Sequence, residues 1–270
     1  MSPKSPLLPR AVVLGCELDR LGFDEVVARC EEVIDGHDFA QHMAINAAKL
    51  VEMHRDIRLL EIVQACELVT ADGQAVVWAS RLLGDPLPER VAGIDLMEAL
   101  FERSEAKGYR VYVLGAEQAV LERAMARARM RWPRLELAGY QHGYFDAADD
   151  VRVARDIREA KPDVLFVAMS SPRKEYFLGE HGRGVGASLV MGVGGSIDVM
   201  AGVTRRAPRL MQRLGLEWLF RLAQEPRRLL RRYAVTNAGF VALVFSAVWR
   251  RALRRPRPRV AEPSRASPRG

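Results

Sequence analysis

The feature that most constrains the fold of this chain is a repeated alternation between short apolar segments and amphipathic ones. Each apolar segment is rich in β-prone residues and ends where Gly, Asn, Asp or Ser would form a turn. The predicted strands are AVVLG from Ala11, QHMAIN to Asn46, ELVTADG to Gly73, RVYVLG to Gly115, LELAGY to Tyr140, DVLFVAM to Met169 and SLVMGVGG to Gly195. The segments between them, such as FDEVVARCEEVI with Asp24 as its N-cap, show helical periodicity. The alternation predicts an α/β fold, with a mostly parallel sheet and helices on both faces.

The charge of the chain is divided unevenly along its 270 residues. The formal net charge is +7, but residues 204–270 hold 17 Arg and 3 Glu, a net +14, which leaves −7 for residues 1–203. We therefore expect a body over 1–203, a basic helical appendage over 204–253, and a disordered tail rich in Pro, Arg and Ser over 254–270. An acidic body argues against nucleic acid as a partner.

The cysteines and the N-terminus indicate a reducing compartment. Cys16, Cys30 and Cys66 are far apart and form no CxxC pair, which argues against a disulfide framework and against a zinc knuckle. The first ten residues, MSPKSPLLPR, contain prolines where a signal peptide needs an unbroken apolar run. We expect the protein to be made and to remain in the cytoplasm.

The appendage predicts amphipathic helices with a basic flank. Charged residues recur every fourth position from Arg209 to Arg221, beside an apolar stripe that includes Trp218, and Pro226 is placed to begin a second helix. The apolar segment 234–249 is shorter than the ~20 residues that a spanning helix needs, and arginines flank both of its ends. We expect it to lie in a membrane interface, with packing on the core as the alternative.

The appendage could contact a membrane, contact nucleic acid, or only pack on the core of the protein. Near an anionic leaflet each arginine contributes roughly 1 kcal/mol, so several of them would hold the protein on a membrane. Nucleic acid would need a basic surface on the body, and a helical pair that only caps the core would not need so many arginines. The prediction is peripheral association with the anionic inner face of the plasma membrane. Apolar surface left by a detached appendage could also pair two copies of the chain.

Two charged residues are candidates for catalysis, because each lies in a loop between a predicted strand and a predicted helix. Asp72 in TADGQAVV is either an Asp-Gly turn that caps the next helix or a general base, and its unperturbed pKa of ~3.9 would leave it ionised at neutral pH. Arg90 in PERVAGIDL is either an ordinary surface arginine or a group that neutralises a leaving diphosphate.

Other candidates follow from the rule that ligands bind at the carboxyl ends of parallel strands. The rule selects Asn46, Gly115, the loop that contains Lys174 and Glu175, and the loop that contains Gly192, Gly194 and Gly195. Glycines in the last loop would let backbone N–H groups approach a phosphate, although tight packing of strand and helix explains them equally well. The loop lacks the last glycine of GxGxxG, which argues against an NAD(P)-dependent oxidoreductase.

Metal and serine-hydrolase chemistry find little support in the residue pattern. The five histidines form no HExxH or paired-ligand spacing, and no Asp-x-Asp or G-x-S-x-G motif occurs. The pattern predicts a metal-independent site.

Several motifs in order resemble the WecG/TagA/CpsF family of bacterial glycosyltransferases, over roughly Ala11 to Tyr233. They are TADG, ERVAGIDL and GVGGSIDVMAG, followed by RAP, GLEWLFR and EPRR in the appendage. The resemblance implies a Rossmann-like enzyme that moves a sugar from a UDP-sugar donor to a polyprenyl-diphosphate-linked sugar, in cell-surface polysaccharide synthesis. It further implies inversion at the anomeric carbon at the cytoplasmic membrane face, without a metal or cofactor. A non-enzymatic membrane adaptor is the alternative from another class.

The resemblance also implies roles for particular residues. Asp72 takes the position of the base, Arg90 that of the group steadying the diphosphate, and Asn46 that of an active-site asparagine. The arginines that would fold over the pocket at the membrane are Arg221, Arg228 and Arg231.

Two residues depart from the pattern of the family. Ala44 stands where relatives often have Thr, and Lys174 stands where they often have Gln. Both changes alter polar contacts in the pocket. They therefore argue against assuming that the donor sugar is N-acetylmannosamine. A lysine would suit an acidic donor such as a uronic acid.

Overall fold

The structure is a computed structural model that describes residues 9–254, except for the side chains of Arg213, Arg228, Arg232 and Arg254. The strands are β1 Arg10–Val13, β2 Cys16–Asp19, β3 Ala40–Ile45, β4 Leu68–Ala71, β5 Val111–Gly115, β6 Leu137–Gln141, β7 Val164–Ala168 and β8 Leu189–Gly192. The helices are α1 Phe23–Asp35, α2 Ala47–Met53, α3 Ile57–Gln64, α4 Gln74–Leu82, α5 Gly93–Lys107, α6 Gln118–Arg131, α7 Asp150–Glu159, α8 Arg173–His181, α9 Ser196–Met200, α10 Arg209–Arg213, α11 Glu217–Gln224 and α12 Pro226–Arg254. The tail predicted to be disordered lies, beyond Arg254, outside the described residues.

Six strands form one parallel sheet in the order β4-β3-β8-β7-β5-β6. The strands are short and mostly buried, as expected when helices cover both faces of a parallel sheet. Helices α1, α5, α6 and α9 pack on one face, and helices α2, α3, α7 and α8 pack on the other. The predicted α/β, Rossmann-like fold is confirmed.

The first predicted strand has a different place from the rest. The segment from Ala11 forms β1, which pairs antiparallel with β2 in a separate two-stranded sheet. Leu14 and Gly15 both adopt positive φ, of 52° and 83°, and this geometry turns the chain back on itself within two residues. The hairpin keeps this strand out of the parallel sheet.

Residues 204–254, the described part of the C-terminal appendage, are here called the arm. A single helix, α12, runs from Pro226 through Arg254, so the predicted second helix and the apolar segment 234–249 form one element. One face of α12 packs on α2, where a Cβ added to Gly239 would lie 3.1 Å from Val51 Cγ1, and Phe240 is buried there.

The opposite face of α12 remains uncovered. Its exposed apolar residues recur every fourth position, at Val241, Phe245, Trp249 and Leu253, and the rings of Phe245 and Trp249 stack with centroids 6.3 Å apart. The segment 234–249 therefore both packs on the core and presents an apolar surface. In the described part of the chain, no helix has both the length and the apolar character required to cross a membrane.

Candidate active site

A crevice is expected above the carboxyl end of β8, because neighbouring strands send their next helices to opposite faces of the sheet. Helix α9 follows β8 and lies with α5 and α6, whereas α2 and α8 follow β3 and β7 and lie on the other face. Parallel sheets bind ligands at such switch points. Most of the candidate residues lie at this edge.

Asp72 follows β4 and is fixed by the backbone on both sides. Its N–H donates to the carbonyl oxygen of Ile45 at 2.8 Å, and its Oδ1 accepts the N–H of Gly93, the first residue of α5, at 3.1 Å. The N-cap of helix α4 is instead Gly73, and no side chain caps this helix. The alternative in which Asp72 caps α4 is therefore wrong.

The environment of Asp72 shifts its acidity. Burial raises the pKa of Asp72 above the ordinary range, whereas Arg90, the Gly93 N–H and Arg221 lower it, and Glu217 raises it. The expectation of an ordinary pKa is therefore wrong. Arg90 and Arg221 favour the ionised form of Asp72 and so oppose the effect of burial.

Arg90 is not an ordinary surface arginine, since only 12% of its side chain is exposed. Its Nη1 lies 2.6 Å from Oε2 of Glu217, the first residue of α11. The arm therefore contacts the loop that carries Arg90, and it places Glu217 and Arg221 within electrostatic reach of Asp72.

A second anchor joins the arm to the body near this point. Both Asp95 carboxylate oxygens lie 2.6 Å from the Arg206 guanidinium, and Asp95 is in the first turn of α5. Gly215, between α10 and α11, lies against Gln74 at the start of α4. The arm thus crosses the carboxyl edge of the sheet and then continues as α12 along α2.

Asn46 caps the helix that follows β3. Its Oδ1 accepts the N–H of Lys49 at 3.0 Å, which satisfies one of the open donors at the start of α2. Asn46 also lies beside the Asp72 loop, because a Cβ added to Gly73 would be 3.4 Å from the Asn46 Cα. Its contact with a donor stays a prediction.

Lys174 and Glu175 belong to a buried ionic cluster that the sequence did not reveal as a whole. Glu175 is fully buried, and its Oε1 lies 2.7 Å from Lys49 Nζ and 2.6 Å from Lys174 Nζ. The Ser171 hydroxyl donates to Glu175 Oε1 at 2.8 Å and accepts from Lys174 Nζ at 2.9 Å. The cluster ties α2 to α8 beside the end of β8.

The charges in this cluster depend on one another. Burial alone would raise the pKa of Glu175, but Lys49 and Lys174 hold it at about 2. Burial and the charge of Lys49 lower the pKa of Lys174, with Glu175 opposing them. Lys49 is a participant that sequence reasoning missed. Its position one turn after Asn46, at the start of a helix that follows a strand, was the available signal.

The four candidate glycines differ in the geometry of their surroundings. Gly115 has φ +129°, and an added Cβ would lie 2.4 Å from the carbonyl carbon of Ala168, so close packing of β5 and β7 requires it. Gly192 leaves room for the aliphatic part of Lys174, at 3.2 Å from an added Cβ. Gly194, at φ +50°, faces open space, and Gly195 precedes α9. Gly194 is therefore the best placed of the four for a ligand's approach.

One family match covers both the body and the arm. Residues 11–254 match the Glycosyl transferase WecG/TagA/CpsF family. The chain belongs to this family. The resemblance inferred from the motifs is confirmed, and so is the prediction of a glycosyltransferase.

Curated relatives of the chain share one name, N-acetylglucosaminyldiphosphoundecaprenol N-acetyl-beta-D-mannosaminyltransferase. The Bacillus spizizenii protein is 34% identical over 177 residues, covering 66% of this chain and 68% of that protein. The Staphylococcus aureus strain MW2 protein is 36% identical over 170 residues, covering 63% of this chain and 66% of that protein. The aligned region thus spans about two thirds of each relative.

The family resemblance gives three arginines a lid role, in which they would fold over the pocket at the membrane. These arginines lie at different places in the arm. Arg221 acts on Asp72 electrostatically, and Arg231 is exposed on α12. The side chain of Arg228 lies outside the described residues. The structure therefore brings one of the three, Arg221, within reach of Asp72, and the lid role stays a prediction for all three.

The structure also shows how the possible metal ligands and the three cysteines are arranged. Among residues 9–254 with described side chains, no group of three or more His, Cys, Asp or Glu residues is arranged to hold a metal ion. Cys16, Cys30 and Cys66 are buried free thiols, and burial raises the pKa of each to about 12. The absence of a disulfide framework stays a prediction.

Proposed function

We propose that this glycosyltransferase moves a sugar from a UDP-sugar donor to a polyprenyl-diphosphate-linked sugar, by an inverting and metal-independent reaction in cell-surface polysaccharide synthesis. The supporting observation is the meeting of Asp72, Arg90 and the arm at the carboxyl edge of the sheet. The relatives' name supplies the acceptor class, since it specifies N-acetylglucosaminyldiphosphoundecaprenol.

The reaction is a single displacement. Asp72 accepts the proton of the acceptor hydroxyl, the hydroxyl oxygen bonds to the anomeric carbon of the donor, and the bond from that carbon to the diphosphate oxygen breaks. The electron pair leaves with UDP. Attack from the side opposite the leaving group inverts the anomeric centre.

Arg90 is placed to receive the charge that develops on the diphosphate. Its guanidinium is largely buried, so its hydrogen bonds to an oxyanion are less weakened by water than those of an exposed arginine. The open backbone at Gly194 provides a second approach for a phosphate oxygen. Arg90 also lowers the pKa of Asp72, so it supports both the leaving group and the base.

The arm brings this site to its lipid-linked acceptor. Its exposed apolar side chains, including Leu210, Leu214, Trp218, Phe245 and Trp249, accompany many arginines. Apolar side chains enter the interface of a bilayer, and arginines are attracted to anionic headgroups. We therefore place the enzyme peripherally on the cytoplasmic face of the plasma membrane.

The experiment that tests this function is a donor screen with polyprenyl-diphosphate-linked N-acetylglucosamine in anionic vesicles. UDP-N-acetylmannosamine, UDP-glucuronic acid and UDP-glucose are supplied separately, and the lipid product is identified by mass spectrometry. The proposal predicts one added sugar and stoichiometric UDP release with at least one donor. UDP release without a glycosylated lipid, or no reaction with any UDP-sugar, would contradict it.

A further inference from the structure

The Glu217 carboxylate occupies the place on Arg90 that an anionic ligand would take. The two side chains meet at 2.6 Å, and Glu217 comes from the arm whereas Arg90 comes from the body. Both are mostly shielded from water, with 23% and 12% of the side chain exposed. A diphosphate that binds Arg90 must therefore compete with Glu217 or share the guanidinium with it.

A second arginine, Arg206, lies near the Glu217 carboxylate and could donate a hydrogen bond to it after a small movement. Arg206 Nε lies 3.9 Å from Glu217 Oε1, too far for a hydrogen bond. This Nε is buried and has no hydrogen-bond partner among the described residues, whereas the terminal nitrogens of Arg206 are bound by Asp95. A buried donor without a partner carries a free-energy cost. A small movement of Glu217 toward Arg206 would remove that cost.

Glu217 lies close to other acidic groups. Its neighbours Arg90 and Arg206 also act on Asp72 and Asp95, respectively. A diphosphate adds further negative charge close to Glu217 and Asp72. Its arrival at Arg90 therefore disfavours the contact between Arg90 and Glu217 and favours the one between Glu217 and Arg206.

We propose that Glu217, Arg90 and Arg206 form a donor latch. Glu217 holds Arg90 while the donor site is empty, and it moves to Arg206 when the diphosphate of the donor takes Arg90. This inference rests on the role proposed above for Arg90 in binding the diphosphate. Because Glu217 is the first residue of α11, the latch makes the position of the arm depend on the presence of donor.

Isothermal titration calorimetry with UDP, inorganic pyrophosphate and uridine tests the latch. Removing the competing charge in Glu217→Gln should tighten UDP and pyrophosphate binding about fivefold while leaving uridine binding unchanged. Glu225→Gln is the matched control, since Glu225 is the other acidic residue of the described arm and follows α11. It should bind all three ligands like the wild type.

A double-mutant cycle separates the latch from a general effect on folding. Arg206→Gln removes the second position of Glu217, so it should weaken UDP binding about threefold in the wild-type background and have no effect in the Glu217→Gln background. Equal or weaker UDP binding by Glu217→Gln, or an additive cycle, would overturn the latch and leave the proposed function intact. A wild-type protein that binds no UDP would overturn both.

Discussion

The carboxyl edge of the sheet and the arm differ in the side chains that they bury: the edge buries charged groups, and the arm exposes apolar ones. At the edge, the Glu175 carboxylate is fully buried and held by two lysines. In the arm, Phe245 is 68% exposed and Trp249 is 60% exposed. Burying a charge is costly unless it is paired, and exposing aromatic rings forgoes the free energy of their burial. The body thus holds charged groups in its interior, whereas the arm leaves apolar side chains exposed at its surface.

The two regions depend on each other at a few contacts. Arg90 meets Glu217, Asp95 holds Arg206, and Phe240 packs against α2. The first contact lies close to Asp72, whereas the exposed stripe of α12 lies on the face of that helix that points away from α2. The difference supports our proposal that placement at a membrane and chemistry at the sheet edge use separate surfaces, linked through the start of α11.

The largest effect on turnover is expected from a substitution that removes the proposed base of the body and leaves the arm unchanged. Asp72→Asn removes the proposed base while keeping a side chain of the same size, so turnover should fall by about 10³-fold, within the range for general base catalysis. Calorimetry should show UDP binding within about threefold of the wild type. Near-normal turnover of this variant would remove Asp72 from the role of base.

The converse change disables the surface of the arm. The double substitution Phe245→Ser and Trp249→Ser should lower binding to anionic vesicles by at least about tenfold in a flotation assay, because two rings no longer enter the interface. The melting temperature should hardly change, since both rings are exposed. The matched control is Val151→Ser, an exposed apolar residue of the body, and it should float like the wild type.

Low pH should reduce the free energy of unfolding of the protein, because it protonates Glu175. The pKa of Glu175 is held at about 2, below its ordinary value of 4.5, so its ionised form stabilises the fold above pH 4.5 and this stability is lost as pH falls toward 2. The contribution is on the order of 3 kcal/mol. Urea unfolding at pH 7 and pH 3 measures the part that is lost above pH 3, about 2 kcal/mol. In Glu175→Gln the pH-dependent loss should be smaller by that amount, and an unchanged pH dependence would contradict the assignment.

The smallest expected effect concerns the donor sugar. If Lys174 interacts with an acidic donor, Lys174→Gln should lower the rate with UDP-glucuronic acid relative to UDP-N-acetylmannosamine by about tenfold or less. Competition between the two donors, read by product mass, gives the ratio directly. Equal wild-type rates with neutral and acidic donors would count against this specificity. The pairing of Lys174 with Glu175 limits the size of the effect.

The sequence predicted the architecture well because the information lies in local patterns. Strand positions follow from short apolar runs, and Asp72 and Asn46 follow strands in the chain, so the sheet edge collects them. The hairpin of β1 and β2 escaped prediction, since two turn residues decide it. The motif GLEWLFR marked Glu217 as part of a helix, but no local pattern shows that its carboxylate meets Arg90.

The same limit applies to the electrostatics. Asp72 was expected to have an ordinary pKa, and its burial within the fold raises that value. Lys49 and Glu175 come from different helices, so their pairing depends on how α2 and α8 pack on the sheet. Tertiary contacts of this kind determine the charge state of the site, and a sequence pattern does not report them.

The measurement that tests the account most directly is turnover of the Phe245→Ser and Trp249→Ser protein on acceptor in anionic vesicles, beside UDP binding by the same protein. If the arm delivers an intact catalytic body to the membrane, UDP binding should match the wild type while turnover falls at least about tenfold, in step with vesicle binding. Wild-type turnover by a protein that no longer binds the vesicles would contradict the account.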